Sequence, residues 1–118
     1  MMKYDLEERT EKIAYQIRVW CRSISKNLIN LDDIKQLLRS SGSVAANYIE
    51  ANESLSRKDF VYRIKICRKE AKESQLWLRL IEATSIELKT QQKKYLEEYT
   101  QLIRIFSTII SSTTKTPH

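Results

Sequence analysis

Glycine and proline are almost missing from this chain, one of each in 118 residues. Ordinary domains carry roughly 7% and 5%, and tight turns depend on both. A strand-rich fold with many hairpins is therefore excluded. The single proline, Pro117, punctuates nothing because it stands in the tail. Histidine is also single and is the last residue, His118. No Cys-x-x-Cys pair or Cys/His cluster is present, so a zinc site has no ligand set. No apolar run approaches the ~18 residues of a membrane span. Met1 to Thr10 is charged and has no signal-like apolar block. Two cysteines, Cys21 and Cys67, lie on or beside apolar seams and read as buried free thiols. A cytoplasmic protein with no membrane role and no cofactor fits these absences.

What is present is helix. Apolar residues make up 42% of the chain, enough for one core, and the length allows a single domain over residues 1–118. Helices are expected at about 5–26, 31–51, 57–84 and 91–111, with a frayed tail at 113–118. The first has its seam at Leu6, Ile13, Ile17, Trp20 or Cys21, Ile24 and Leu28. The second should be capped by Asn30, with Asp32 and Asp33 in its first turn and Ile29 folded back on Ile34. Its seam is Ile34, Leu37 or Leu38, Ser41, Val44 or Ala45, and Tyr48. Ser40, Ser41, Gly42 and Ser43 are poor helix formers, and an interior Gly costs about 1 kcal/mol relative to Ala. A loop there is the alternative; helix is preferred because small residues let backbones approach closely.

The third helix has the clearest start signal. Ser56 caps it, Asp59 stands at the third position, and Leu55 is placed to pack on Phe60. Its seam is Phe60, Ile64, Cys67, Ala71, Ser74, Leu78 and Ile81, alternating steps of four and three. Val61, Leu76 and Leu80 form a second apolar strip, which implies burial against another subunit. The fourth helix carries Tyr95 or Leu96, Tyr99, Leu102 or Ile103, Phe106, and Ile109 or Ile110. Four amphipathic helices with short links make an all-α, up-down-up-down antiparallel four-helix bundle.

The stretch from Ser43 to Ile81, SVAANYIEANESLSRKDFVYRIKICRKEAKESQLWLRLI, resembles small four-helix-bundle proteins encoded within intervening sequences of bacterial 23S ribosomal RNA genes. Ser43, Asn47, Glu50, Ser56, Arg57, Asp59, Phe60, Ile66, Lys69, Glu70, Ala71, Glu73, Trp77 and Leu78 carry the resemblance. Ala51 departs from it, since relatives often have Gly after the Glu that closes helix two; helix two should run on by part of a turn. The resemblance implies a homo-oligomer, with a pentamer as the family habit. A more distant resemblance, to the accessory bundle protein of diversity-generating retroelements, implies a reverse transcriptase and RNA as partners.

Two groups of polar residues are candidates for function. Asn47 with Glu50, and Glu70 with Glu73, are pairs three apart. A carboxylate metal centre in a bundle also takes ligating histidines in Glu-x-x-His, and the body of the chain has none. Paired carboxylates for hydrolysis need a cleft that a tight bundle rarely offers. These four read better as structural polar residues, with Glu73 joining helix three to another helix or subunit. Trp20, Trp77, Tyr48, Tyr62 and Phe60 read mainly as core or interface packing, Tyr62 being the most surface-like.

The second group is basic. Between Arg57 and Arg79 stand eight Lys or Arg and three acids, so this stretch carries +5 of the chain's formal +6. Arg57, Lys58, Lys65, Arg68, Lys72 and Arg79, extended by Arg18 and Arg22 on helix one, are the expected nucleic-acid contacts. Lys65, Arg68, Lys72 and Arg79 share one face. A solvated helix face is the plain alternative, but solubility alone would be served by scattered charge. No zinc finger, recognition helix or aromatic-bearing sheet is present, so binding of structured RNA or DNA should follow shape and charge. The chain reads as a non-enzymatic oligomeric bundle that binds nucleic acid through phosphates; alternatively it is a protein–protein adaptor or scaffold.

Overall fold

A computed structural model describes residues 2–115, with side chains for residues 6–114. Four helices follow one another: α1 Met2–Arg22, α2 Leu28–Asn52, α3 Arg57–Leu80 and α4 Ile86–Lys115. They form an up-down-up-down bundle of 52 × 21 × 19 Å. The α2–α3 contact is the most extensive, then α3–α4, then α1–α2, with α1 touching α4 least.

α2, α3 and α4 each start where a polar side chain satisfies an orphan amide. Asn27 Oδ1 accepts from Asn30 N at 2.8 Å, Ser56 Oγ from Asp59 N at 3.1 Å, and Ser85 Oγ from Leu88 N at 3.0 Å. The Ser56 cap is the expected one. The cap of α2 is Asn27 rather than Asn30, so Asp32 and Asp33 fall beyond its first turn. Neither proposed staple forms, because Ile29 is inside the helix and exposed and Leu55 is fully exposed. Leu28, counted into the α1 seam, opens α2 and is 93% exposed.

Asn30 has a larger role than a cap. It is fully buried, and its Nδ2 donates to Ser25 O and Glu82 O, both at 3.1 Å. Its Oδ1 accepts from Glu82 N at 2.9 Å. One side chain thus ties the α1–α2 link to the α3–α4 link. α1 stops at Arg22 rather than Lys26, with Lys26 Nζ folding back on the carbonyls of Cys21 and Arg22. α3 stops at Leu80 rather than Thr84 because Ile81 turns extended and is buried. Gln92 Nε2 then serves the carbonyls left at Leu78 and Ile81, at 2.6 and 2.9 Å. α4 opens at Ile86, five residues ahead of expectation, and stays helical through Thr113 to Lys115. The remainder of the expected tail lies outside the described residues.

The seams otherwise meet in one core. Ile13, Ile17, Leu37, Val44, Ile64, Cys67, Ala71, Leu78, Tyr99, Leu102 and Phe106 are all buried. Trp20 and Cys21 are both buried, the indole donating to Leu88 O at 3.0 Å. The Ser40–Ser43 stretch is helical, and its small residues admit neighbours from both sides. Ser40 Oγ lies 2.7 Å from Ser74 Oγ of α3. On the other side, a Cβ added at Gly42 would stand 3.1 Å from Arg18 Nη2. The Arg18 guanidinium donates to Ala14 O, Leu38 O and Ser41 Oγ. The Tyr99 hydroxyl of α4 faces Ser74 and Ser41 but closes no hydrogen bond, and burial pushes its pKa up. Each helix therefore contributes to a polar layer at mid-core.

Asn30→Ala strands the Glu82 amide and two link carbonyls. A stability loss of about 2–3 kcal/mol is expected, read as a lower urea midpoint at unchanged helix content; a loss within experimental scatter would refute the link-to-link clamp. The thiols give a pH prediction. Burial raises Cys21 to about 11 and Cys67 to about 12, from an ordinary 9.0. The unfolded chain releases these protons first. Stability is therefore intact below the unfolded value and falls as pH climbs through the folded ones, by up to about 1.4 kcal/mol per pH unit for each thiol. Denaturation midpoints should hold steady to about pH 8 and decline above pH 9. Cys67→Ala should soften the decline.

Candidate nucleic-acid interface

α3 lies between α2 and α4, and what its flanks bind decides what its outer arc presents. On the α2 flank two arginines run in opposite directions. Arg39 of α2 reaches α3, with Nη1 3.1 Å from Glu70 Oε1 and Nη2 3.0 Å from Glu73 Oε1. Arg63 of α3 reaches α2, with Nη1 3.0 Å from Asn47 Oδ1 and Nη2 3.0 Å from Glu50 Oε1. Asn47 Nδ2 is held in turn by Ser43 O at 2.9 Å. Glu70 is buried and also meets Lys69 at 3.4 Å. Glu73 thus joins α3 to a neighbouring helix of the same chain. All four polar residues singled out in the sequence are engaged here. Among the described residues, no three His, Cys, Asp or Glu side chains gather where they could hold a metal.

On the α4 flank, Gln75 Nε2 donates to Leu96 O and Thr100 Oγ1, and Arg68 Nη1 to Ser107 Oγ. Between the flanks lies the basic arc. At about 100° per residue, Arg57, Lys58, Lys65, Arg68, Lys69, Lys72 and Arg79 fall within about 120° of one another, and none of α3's acids falls among them. Lys58, Lys65, Lys72 and Arg79 are exposed, and Arg68 is half-buried against α4. Among the described residues, none of Lys65, Arg68 and Lys72 forms an ion pair.

Arg18 and Arg22 are not brought to this arc. They stand on α1, whose backbone among the described residues nowhere comes within 8 Å, Cα to Cα, of α3. Arg18 is committed to the α1–α2 contact, and Arg22 is exposed at the end of α1. The fourth helix carries further exposed cations that the sequence reading did not name. Lys89, Lys93 and Arg104 are exposed and fall within about 60° of Thr100, on the side of α4 turned to α3. Glu97 interrupts them. Their spacing was visible, but nothing in the sequence said which side of α4 meets α3.

The chain from residue 14 to residue 108 matches the family model described as 23S rRNA-intervening sequence protein. The chain belongs to that family. A solved structure from Bacteroides thetaiotaomicron, described as a protein of unknown function from the S23 ribosomal protein family, has the same fold. It is 28% identical, with a TM-score of 0.75 over 94% of this chain and 99% of that one. Among curated proteins none matches. The family match takes in the polar forks of α2 and α3 and the whole basic arc.

Trp77 is half-buried with its indole nitrogen buried and unpartnered, and Phe60 is half-buried on the core. Tyr48 is buried, while Tyr62 is 60% exposed. Of the second apolar strip, Val61 packs on the core, while Leu76 and Leu80 are exposed.

Because Arg39 is half-exposed, solvent screens its pairs. Arg39→Ala should cost about 1 kcal/mol, chiefly by leaving the buried Glu70 carboxylate with Lys69 alone, and Glu73→Gln only a few tenths. Chemical denaturation of the two variants checks the order; equal losses would show that burial of Glu70 does not matter.

Proposed function

We propose that this family member is a non-enzymatic, self-associating bundle of the cytoplasm that holds structured RNA or DNA by its phosphates along the outer arc of α3. The observation that supports this most is the acid-free run of Lys58, Lys65, Arg68, Lys72 and Arg79 on that arc. From Lys58 to Arg79 it extends about 32 Å, enough to follow several phosphates of one strand. The family name, 23S rRNA-intervening sequence protein, adds a genomic association with ribosomal RNA. Contacts of this kind fix position without reading sequence. Repetition of the arc in an assembly, a pentamer by the family resemblance, would multiply weak contacts into firm binding.

The rival reading is an adaptor or scaffold, with a protein partner such as a reverse transcriptase. It draws on exposed apolar residues: Leu76 and Leu80 on α3, and Tyr15, Val19, Leu31 and Ile49 on α1 and α2. Those residues also suit contact between copies of the chain, so they do not by themselves favour the adaptor.

Titration of labelled duplex RNA and DNA against salt separates the two. Phosphate binding gives affinity that falls steeply up to about 200 mM salt and is indifferent to sequence. Lys65→Ala with Lys72→Ala should weaken all sequences alike and lower the log–log salt slope by about 2. No binding at low salt would leave the adaptor as the reading. Solution mass at micromolar concentration tests the assembly, and a monomer would remove it.

A further inference from the structure

Where α3 begins and α4 ends, the basic arc runs into a groove of about 810 Å³. Arg57, Lys58, Val61, Tyr62 and Lys65 line it from α3, with Thr113 and Thr114 from α4. Three cations, Arg57, Lys58 and Lys65, stand around Val61 and the exposed ring of Tyr62. A nucleotide presents the matching surfaces, one flat and apolar, one anionic.

Tyr62 is built as a platform. It is 60% exposed, and the Arg63 guanidinium lies 5.6 Å from its ring centroid. Arg63 belongs to the cleft on the other side of the tyrosine, where Glu50, Glu53 and Asp59 also lie. Its guanidinium is fixed there by Glu50 and Asn47. The ring is thus supported from the acidic side and forms a wall of the groove on the basic side. The threonine hydroxyls have a set polarity too. Thr113 Oγ1 donates to Ile109 O at 2.7 Å and Thr114 Oγ1 to Ile110 O at 2.8 Å. What they offer the groove is acceptor capacity, which suits a ribose 2′-hydroxyl or a base amine.

We infer that this groove receives an unpaired nucleotide of RNA, its base stacked on Tyr62 and its phosphate held by Lys58 and Lys65. The inference rests on the phosphate-binding reading of the α3 arc and narrows it. A paired helix is gripped by charge alone, whereas a loop or strand end gains a stacking contact. The groove volume suits one or two nucleotides rather than a duplex, within the range of ordinary small-ligand clefts, roughly 300–1,000 Å³.

The test compares a fluorescent RNA hairpin with an open uridine loop against a fully paired duplex of equal length, using the full chain. Tyr62→Ala should weaken hairpin binding about tenfold and leave duplex binding unchanged, and Tyr62→Phe should keep the wild-type preference. Because Tyr62 lies largely in solvent, both variants should retain helix content, checked by circular dichroism. If Tyr62→Ala affects hairpin and duplex equally, or affects neither, the groove inference is overturned while salt-dependent binding still stands. If neither RNA binds at low salt, the phosphate-binding reading falls and the groove with it.

Discussion

The α2–α3 contact fixes how α3 is turned about its own axis, and the outward face of the molecule follows from that. Apolar burial supplies most of the attraction, but Leu, Ile and Cys side chains tolerate small rotations. The polar contacts do not. Ser40 and Ser74 meet at 2.7 Å, Arg39 clasps Glu70 and Glu73, and Arg63 clasps Asn47 and Glu50. The forks run in opposite directions, so sliding α3 along α2 breaks both. Turning α3 by one residue, about 100°, would carry Lys65 and Lys72 toward a neighbouring helix and leave Glu70 in the core without a cation. Half-exposed ion pairs add little stability; their larger effect here is to select one register among several apolar ones.

The mid-core layer applies the same logic to the other two helices. Arg18 lies across α2 at Gly42, where an added Cβ would stand 3.1 Å from its Nη2 and the guanidinium would have to shift by a few tenths of an ångström. Alanine would suit a helix better at that position, by about 1 kcal/mol, yet its methyl would press on a guanidinium already committed to Leu38 O and Ala14 O. The weak-looking serine and glycine stretch is thus the place where α1 comes closest through a polar side chain. At one end of the bundle Asn30 holds two links together; farther along, Arg9 of α1 makes a two-point contact with Glu98 of α4 at 2.9 and 3.0 Å. Polar contacts at several heights along the bundle therefore align four apolar stripes that would otherwise pack in several ways.

The apolar period made the bundle legible in the sequence: the α3 seam from Ile64 to Ile81 is buried as its spacing required. The Ser56 cap was legible because a favoured residue and an acid three positions on coincide. Helix ends were less so. Asn27 and Ser85 are equally good caps, but each lacks the acid that marks Ser56, and Asn30 looked like a cap because its tertiary partner stands 52 residues away. α3 looked longer because Glu82 to Thr84 continue a helical pattern; burial of Ile81 in extended form and the arrival of Gln92 end it. The site was legible in kind and incomplete in place. Arg18 has the same charge as Lys65, and nothing local distinguishes a guanidinium aimed at a neighbouring helix from an ammonium aimed at solvent. The groove was invisible, because Thr113 and Val61 become neighbours only once α4 returns along α3.

The outer arc of α3 also carries a cost that solubility does not explain. Arg68 and Lys72 are four apart, as are Lys65 and Lys69, and Lys69 and Lys72 are three apart. Like charges at those spacings destabilise a helix by a few tenths of a kcal/mol each. Alternating signs would remove the penalty and keep the protein equally dispersed. On the α2 flank the chain does alternate them, with Arg39, Glu70, Glu73, Arg63 and Glu50 compensating one another. The two flanks of helix α3 thus differ: charges are paired where it meets α2, while among the described residues Lys65, Arg68 and Lys72 form no ion pair where α3 faces out. Repulsion kept on one face of an otherwise balanced helix is relieved when an anion with regularly spaced charges lies along it. The exposed Tyr62 stands at the end where the same face meets the groove lined by α3 and α4.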